Sequence, residues 1–160
     1  MLLEAARFAP THKHTEPWRF QVIQGATLAT MAEVQVKALF NKVGEHEASL
    51  QKAEKLRFNA SRSSAVIAIV MKRDSQERLP LNDELWAVAT AVQNIHLHAR
   101  SLRIGGFWST GAAVDFPEVR EWLGLDDQDI HMGWLYLGKF SGDKKLAKER
   151  LPVRVITQFR

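Results

Sequence analysis

Cysteine is absent from this 160-residue chain. That excludes disulfides and thiolate metal sites, and it suits a reducing, cytoplasmic setting. No apolar run is long enough to span a bilayer, so no membrane role is expected. The first residues carry Glu4 and Arg7 and read as helix, not as a signal peptide. His12, His14, His96 and His98 stand in pairs two apart, and no HExxH spacing occurs. Residues two apart do not share a helix face, so no metal site is expected. Gly105-Gly106 follows a helical pattern, where the expected role is a helix stop. It has the spacing of neither phosphate-binding glycine motif. Ser109-Thr110-Gly111 is not a nucleophile elbow, and no pair of carboxylates suggests acid–base work. No catalytic side chain is therefore assigned.

The chain does contain an ordinary share of core-forming residues, 46% apolar and 25% charged. That implies one globular domain over residues 1–160. Net charge is +4. Basic and acidic residues interleave, and Lys144, Lys145, Lys148, Arg150 and Arg154 form the one basic-rich stretch. Solvated charge explains it better than nucleic-acid binding.

The pattern predicts a short helix over residues 1–9 and a strand over 18–24. Thr27 is the expected cap of a helix from Leu28 to about Phe40, and a charged helix follows from Glu45 to Phe58. Residues 64–71 are nearly all apolar and β-branched, which predicts a central strand buried on both faces. Asn82 or Asp83 is the expected cap of the longest helix, reaching Leu102. That helix is apolar on more than one side, so it is expected to be buried or to pack against a second subunit. A short aromatic segment over 107–111 comes next, then a helix over 116–123 with Asp115 as cap and Pro117 in its first turn. Strands are expected over 130–137 and, at the terminus, over 153–159. The second of these would pair with a distant or a partner sheet. The overall class is α/β or α+β.

The segment Ala5 to Phe20 holds the most information. A small-residue helix end runs into Pro10, a polar loop (Thr11, His12, Lys13, His14) follows, and Pro17 introduces Trp18-Arg19-Phe20. This loop and the Trp108-Ser109-Thr110-Gly111 turn are candidate walls of a pocket whose chemistry belongs to a bound cofactor. Ala-Ala-x-x-Ala-Pro-Thr-His-x-x-x-x-Pro-Trp, Arg62 to Val70, Gly105-Gly106-Phe107-Trp108-Ser109-Thr110-Gly111-Ala112 and Met132 to Gly138 occur in that order. Together they resemble the FMN-dependent nitroreductases, most closely the compact single-domain NAD(P)H subgroup.

The resemblance covers nearly the whole chain. It implies an α+β fold, a mixed central sheet flanked by helices, in an intertwined homodimer with FMN in the groove between subunits. It implies flavin contacts from Phe8, His12, Trp108, Ser109 and Thr110. The run His98, Ala99, Arg100, Ser101, Leu102 and Arg103 is assigned to the nicotinamide nucleotide. NAD(P)H would be the hydride donor, and a nitroaromatic, quinone or similar small molecule the acceptor. The alternative is a flavin-storing or cofactor-free relative without turnover. Two departures from the family pattern bear on this. Phe8 stands where the subgroup prefers Arg, and no Arg-Arg-Ser phosphate-binding helix precedes Leu2. Weak or absent flavin is the resulting expectation.

Overall fold

A computed structural model describes residues 2–111, 114–139 and 150–160. Ala112 of the family pattern and Lys144, Lys145 and Lys148 of the basic stretch lie outside the described residues. The elements in order are α1 (Leu2–Ala6), a 3-10 turn (His12–His14), β1 (Trp18–Ile23), α2 (Thr27–Val43), α3 (Glu47–Ser61) and β2 (Ala65–Met71). After these come α4 (Leu81–Ser101), β3 (Ile104–Ser109), α5 (Pro117–Leu123), β4 (Ile130–Lys139) and α6 (Val153–Ile156).

β2 behaves as its composition predicts. Val66 through Met71 are all buried, because the strand has a neighbour on each edge and helices over both faces. The sheet order is β1-β2-β4-β3. Trp18 pairs with Met71, Met71 with Ile130, and Ser109 with Trp134. Side chains alternate across the strand. Ile67, Ile69 and Met71 meet Val88, Ala91, Val92 and Ile95 of α4 and Ala6 of α1. Val66 and Ala68 meet Leu28, Met31 and Ala32 of α2 and Val119 and Leu123 of α5. α3 packs mainly on α2.

Every strand pair is antiparallel, where the resemblance implied a mixed sheet. Among the described residues the sheet has these four strands and no parallel neighbour. Residues 153–159 were expected as a strand, yet Val153–Ile156 is a short helix and residues 151–160 are exposed. Pro152 stands at its N-cap with extended backbone. Alternation alone makes no strand without a partner's edge to bond.

Helix starts also differ from expectation. Gly25, at φ 59°, turns the chain into α2, so Ala26 takes the cap position and Thr27 is already helical. Pro80 occupies the N-cap of α4, and Phe116 that of α5. Asn82, Asp83 and Asp115 therefore cap nothing. The glycine pair does more than end a helix, because Gly105 and Gly106 lie inside β3. A Cβ on Gly106 would stand 3.0 Å from His96 Nδ1, so glycine lets β3 lie close on α4.

The loop between β2 and α4 is built on one buried ion pair. The Glu84 side chain is fully buried, bonds the Arg73 guanidinium and accepts from Asp74 N at 3.0 Å. Arg73 also donates to Leu79 O at 2.9 Å. Arg78 bonds the Asp74 carboxylate and holds its pKa down at about 2. Removing one member of a buried pair strands the other charge. Glu84→Ala is therefore expected to lower unfolding free energy by about 3–5 kcal/mol in urea titration, and the double variant Arg73→Met/Glu84→Leu by clearly less.

Candidate functional site

The polar corner predicted around His12 is formed and strained. Lys13, His14 and Glu16 all adopt positive φ, at 50°, 53° and 43°. Non-glycine residues occupy that region only where surrounding contacts hold them. Thr11 supplies one such contact: its hydroxyl accepts from Glu16 N at 3.2 Å and lies 3.4 Å from the Thr15 hydroxyl. Lys13 Nζ donates to Arg78 O at 3.2 Å, and His12 Nδ1 lies 3.2 Å from Asp83 Oδ2. Arg19 donates to the Glu16 main-chain oxygen at 2.8 Å. Buried Ala6, Ala9 and Trp18 anchor both ends of the corner, while Phe8 is 79% exposed.

The second predicted wall is β3, whose alternation divides its residues between the faces of the sheet. Trp108 turns toward the α4 side and donates from Nε1 to Met132 O at 3.0 Å. Phe107 stacks on Tyr136, with ring centroids 6.3 Å apart. Phe107, Ser109 and Gly111 line a cavity of about 190 Å³ on the α2–α3 side. The other lining residues are Gln35 and Leu39 of α2, Lys52, Lys55, Leu56 and Asn59 of α3, Val114 and Trp134. Thr110, just beyond the strand, is exposed.

Trp134 is buried, and its indole Nε1 has no hydrogen-bond partner. An unpaired buried donor costs free energy, so a nearby acceptor would be welcome. Behind the wall, His131 stands edge-on to Trp134 at 4.5 Å and bonds the Val114 carbonyl through Nδ1. Burial pushes its pKa below the ordinary imidazole value. Among the described lining residues Lys52 and Lys55 are the only charged groups, and none is a carboxylate.

The structure separates the predicted residues into three places. The His12 corner leads into β1, one edge of the sheet, and β3 is the other edge. The run from His98 to Arg103 lies at the end of α4, beside Ile104. Ser109 is five residues further along β3, about 16 Å away. Ala99 is 1% exposed and belongs to the core, so its side chain presents nothing to a ligand. Arg100, Ser101, Leu102 and Arg103 are exposed and His98 is half-buried. Gln35, Lys52, Lys55 and Asn59 were missed from the sequence. The spacing of Lys52, Lys55 and Asn59 puts them on one helix face, but α3 read only as a charged helix.

Two outcomes follow from the wall's construction. A Cβ on Gly133 (φ 119°) would meet Ser109 O at 2.4 Å and Trp108 Nε1 at 2.9 Å. Gly133→Ala should displace the end of β3, cost about 1–3 kcal/mol in thermal or urea unfolding, and shift tryptophan fluorescence. Burial lowers the His131 pKa in the fold, so the unfolded chain binds more protons at mildly acid pH. Stability should be full above about pH 6.5 and fall below it. His131→Asn should flatten that limb of the pH–stability curve.

The Nitroreductase family model matches residues 1–139. YdjA of Escherichia coli (strain K12), which carries the name of an NAD(P)H nitroreductase, is 31% identical over 137 residues, covering 86% of this chain and 73% of its own. YfhC of Bacillus subtilis (strain 168), similarly named, is 28% identical over 153 residues, covering 96% of this chain and 77% of its own. The crystal structure of a nitroreductase-like family protein from Bacillus cereus superposes with a TM-score of 0.78 at 25% identity, over 99% of this chain and 81% of that one. The FMN-dependent nitroreductase NfnB from Mycobacterium smegmatis, in complex with NADPH, shares the fold with a TM-score of 0.73 at 16% identity, over 99% and 86% of the two chains. A family match over most of the chain, on a fold with these relatives, means that the chain belongs to the nitroreductase family.

Proposed function

We propose that this protein is an FMN-dependent oxidoreductase that takes reducing equivalents from NAD(P)H and passes them to a small-molecule acceptor such as a nitroaromatic or a quinone. The observation that carries the reading is the cavity at the Ser109 end of β3. Its chemistry suits the cofactor. An apolar strip of Leu39, Leu56, Phe107 and Val114 suits a planar ring, and Lys52, Lys55, Ser109 and Asn59 suit its oxygens and phosphate. The unpaired indole donor of Trp134 fits a polar heterocycle.

FMN, when bound, supplies the hydride and electron chemistry that no side chain here offers. The chain's own residues bind and orient. The Lys52 and Lys55 ammoniums would neutralise negative charge at the cavity, and the Phe107–Tyr136 stack would exclude water from its wall. Phe8, Trp108 and Thr110 belong to this reading as neighbours of the groove. The exposed His98, Arg100, Ser101, Leu102 and Arg103 are its surface for the nicotinamide nucleotide.

The reading further holds that the working form is a cytoplasmic homodimer. About 190 Å³ is below the ~300 Å³ lower range of small-molecule pockets, so a second surface is needed to close it. The His12 corner is the matching surface, but it leads into the opposite edge of the sheet. It therefore reaches Ser109 most directly from a second copy. Phe8, Trp86, Leu97, Leu102 and Phe107 are exposed, as are Leu151, Val153, Val155, Ile156 and Phe159 of the terminal segment. That is more apolar surface than a lone chain ordinarily presents.

FMN fluorescence quenching and NAD(P)H oxidation test the proposal together. Saturable quenching is expected, with turnover only when FMN and an acceptor are both present. Lys52→Ala/Lys55→Ala should weaken FMN binding by roughly tenfold or more, from the loss of charge-assisted bonds. No saturable quenching would overturn the reading, and FMN binding without turnover would replace it with flavin storage.

A further inference from the structure

Asp83 stands in the first turn of α4, where the sequence suggests a helix cap. It does not cap that helix. Pro80 takes the cap position, and the Asp83 carboxylate instead lies 3.2 Å from His12 Nδ1, across 71 residues of chain. This is the one side-chain to side-chain bond between the strained 11–16 corner and α4 among the described residues. The other ties have different partners: Thr11 and Thr15 pair within the loop, and Lys13 reaches a main-chain carbonyl.

We propose that Asp83 is the positioning residue for His12. A carboxylate accepts and does not donate, so Nδ1 must carry the proton in this pair. In the neutral imidazole that leaves Nε2 without a proton, an acceptor turned outward from a 59% exposed side chain. The ring is thereby set to receive a hydrogen bond from a ligand N–H, such as the N3–H at the pyrimidine edge of a flavin. The proposal rests on the flavin reading for its ligand. The geometry of the His12–Asp83 pair does not.

Nitrogen-15 NMR of the histidine ring in the protein at about pH 8.5, where imidazole is ordinarily neutral, reads the tautomer directly. Wild type should show His12 protonated on Nδ1. Asp83→Ala should move it toward the Nε2-protonated form that free imidazole side chains favour. Asp83→Asn keeps an accepting oxygen and should restore the wild-type signature, which a role in helix stability alone would not produce. In FMN titrations, Asp83→Ala and His12→Ala should each weaken binding roughly two- to tenfold. The double variant should lose no more than His12→Ala alone.

An Nε2-protonated ring in wild type, or a tautomer unmoved by Asp83→Ala, overturns the proposal. So does an FMN affinity that falls in His12→Ala but not in Asp83→Ala. Failure of FMN to bind the wild-type chain at all overturns the flavin reading instead, and the NMR result then stands by itself.

Discussion

Complete burial of Val66–Met71 is the constraint from which the rest of the molecule follows. A strand with no solvent face must have a partner on each side and a layer above and below. β1 and β4 fill the sides, α4 with α1 covers one face, and α2 with α5 covers the other. β3 can then bond only to the far side of β4. The His12 corner and the Ser109 turn are thus sent to opposite edges by the packing of a strand that touches neither.

Where burial decides, the sequence is readable. The apolar run of β2 and the 3.6-residue spacing of Val88, Val92, Ile95 and Ala99 mark the centre of the fold before any coordinates. Where a residue's meaning depends on a partner distant in sequence, the reading fails. Asp83 has the composition of a cap, and only the folded loop turns it to His12. Glu84 reads as one more helix charge, yet Arg73 draws it into the interior. Lys52, Lys55 and Asn59 look like solvated surface until β3 closes the far side of their cavity. Val153–Phe159 has a strand's alternation, but it pairs with no strand among the described residues.

The candidate site was half legible. His12 was marked by its place in a loop before a strand, and Trp108 and Ser109 by theirs in an aromatic segment running into small polar residues. Their placement at opposite edges of the sheet was not, because separation is a property of strand order and not of local pattern. The His98–Arg103 run shows a different limit. Ala99 turns into the core while Arg100 to Arg103 are exposed, so one member of the stretch is withdrawn from any ligand that the others could meet.

A groove that takes one wall from each of two chains is divisible. A copy damaged at His12 and a copy damaged at Lys52 and Lys55 would each be poor alone. Mixed, they would form a hybrid in which one groove carries both lesions and the other carries neither. In the homodimer proposed above, walls on opposite edges of the sheet would make each functional unit a shared possession of two polypeptides, and selection on either wall would act through its neighbour.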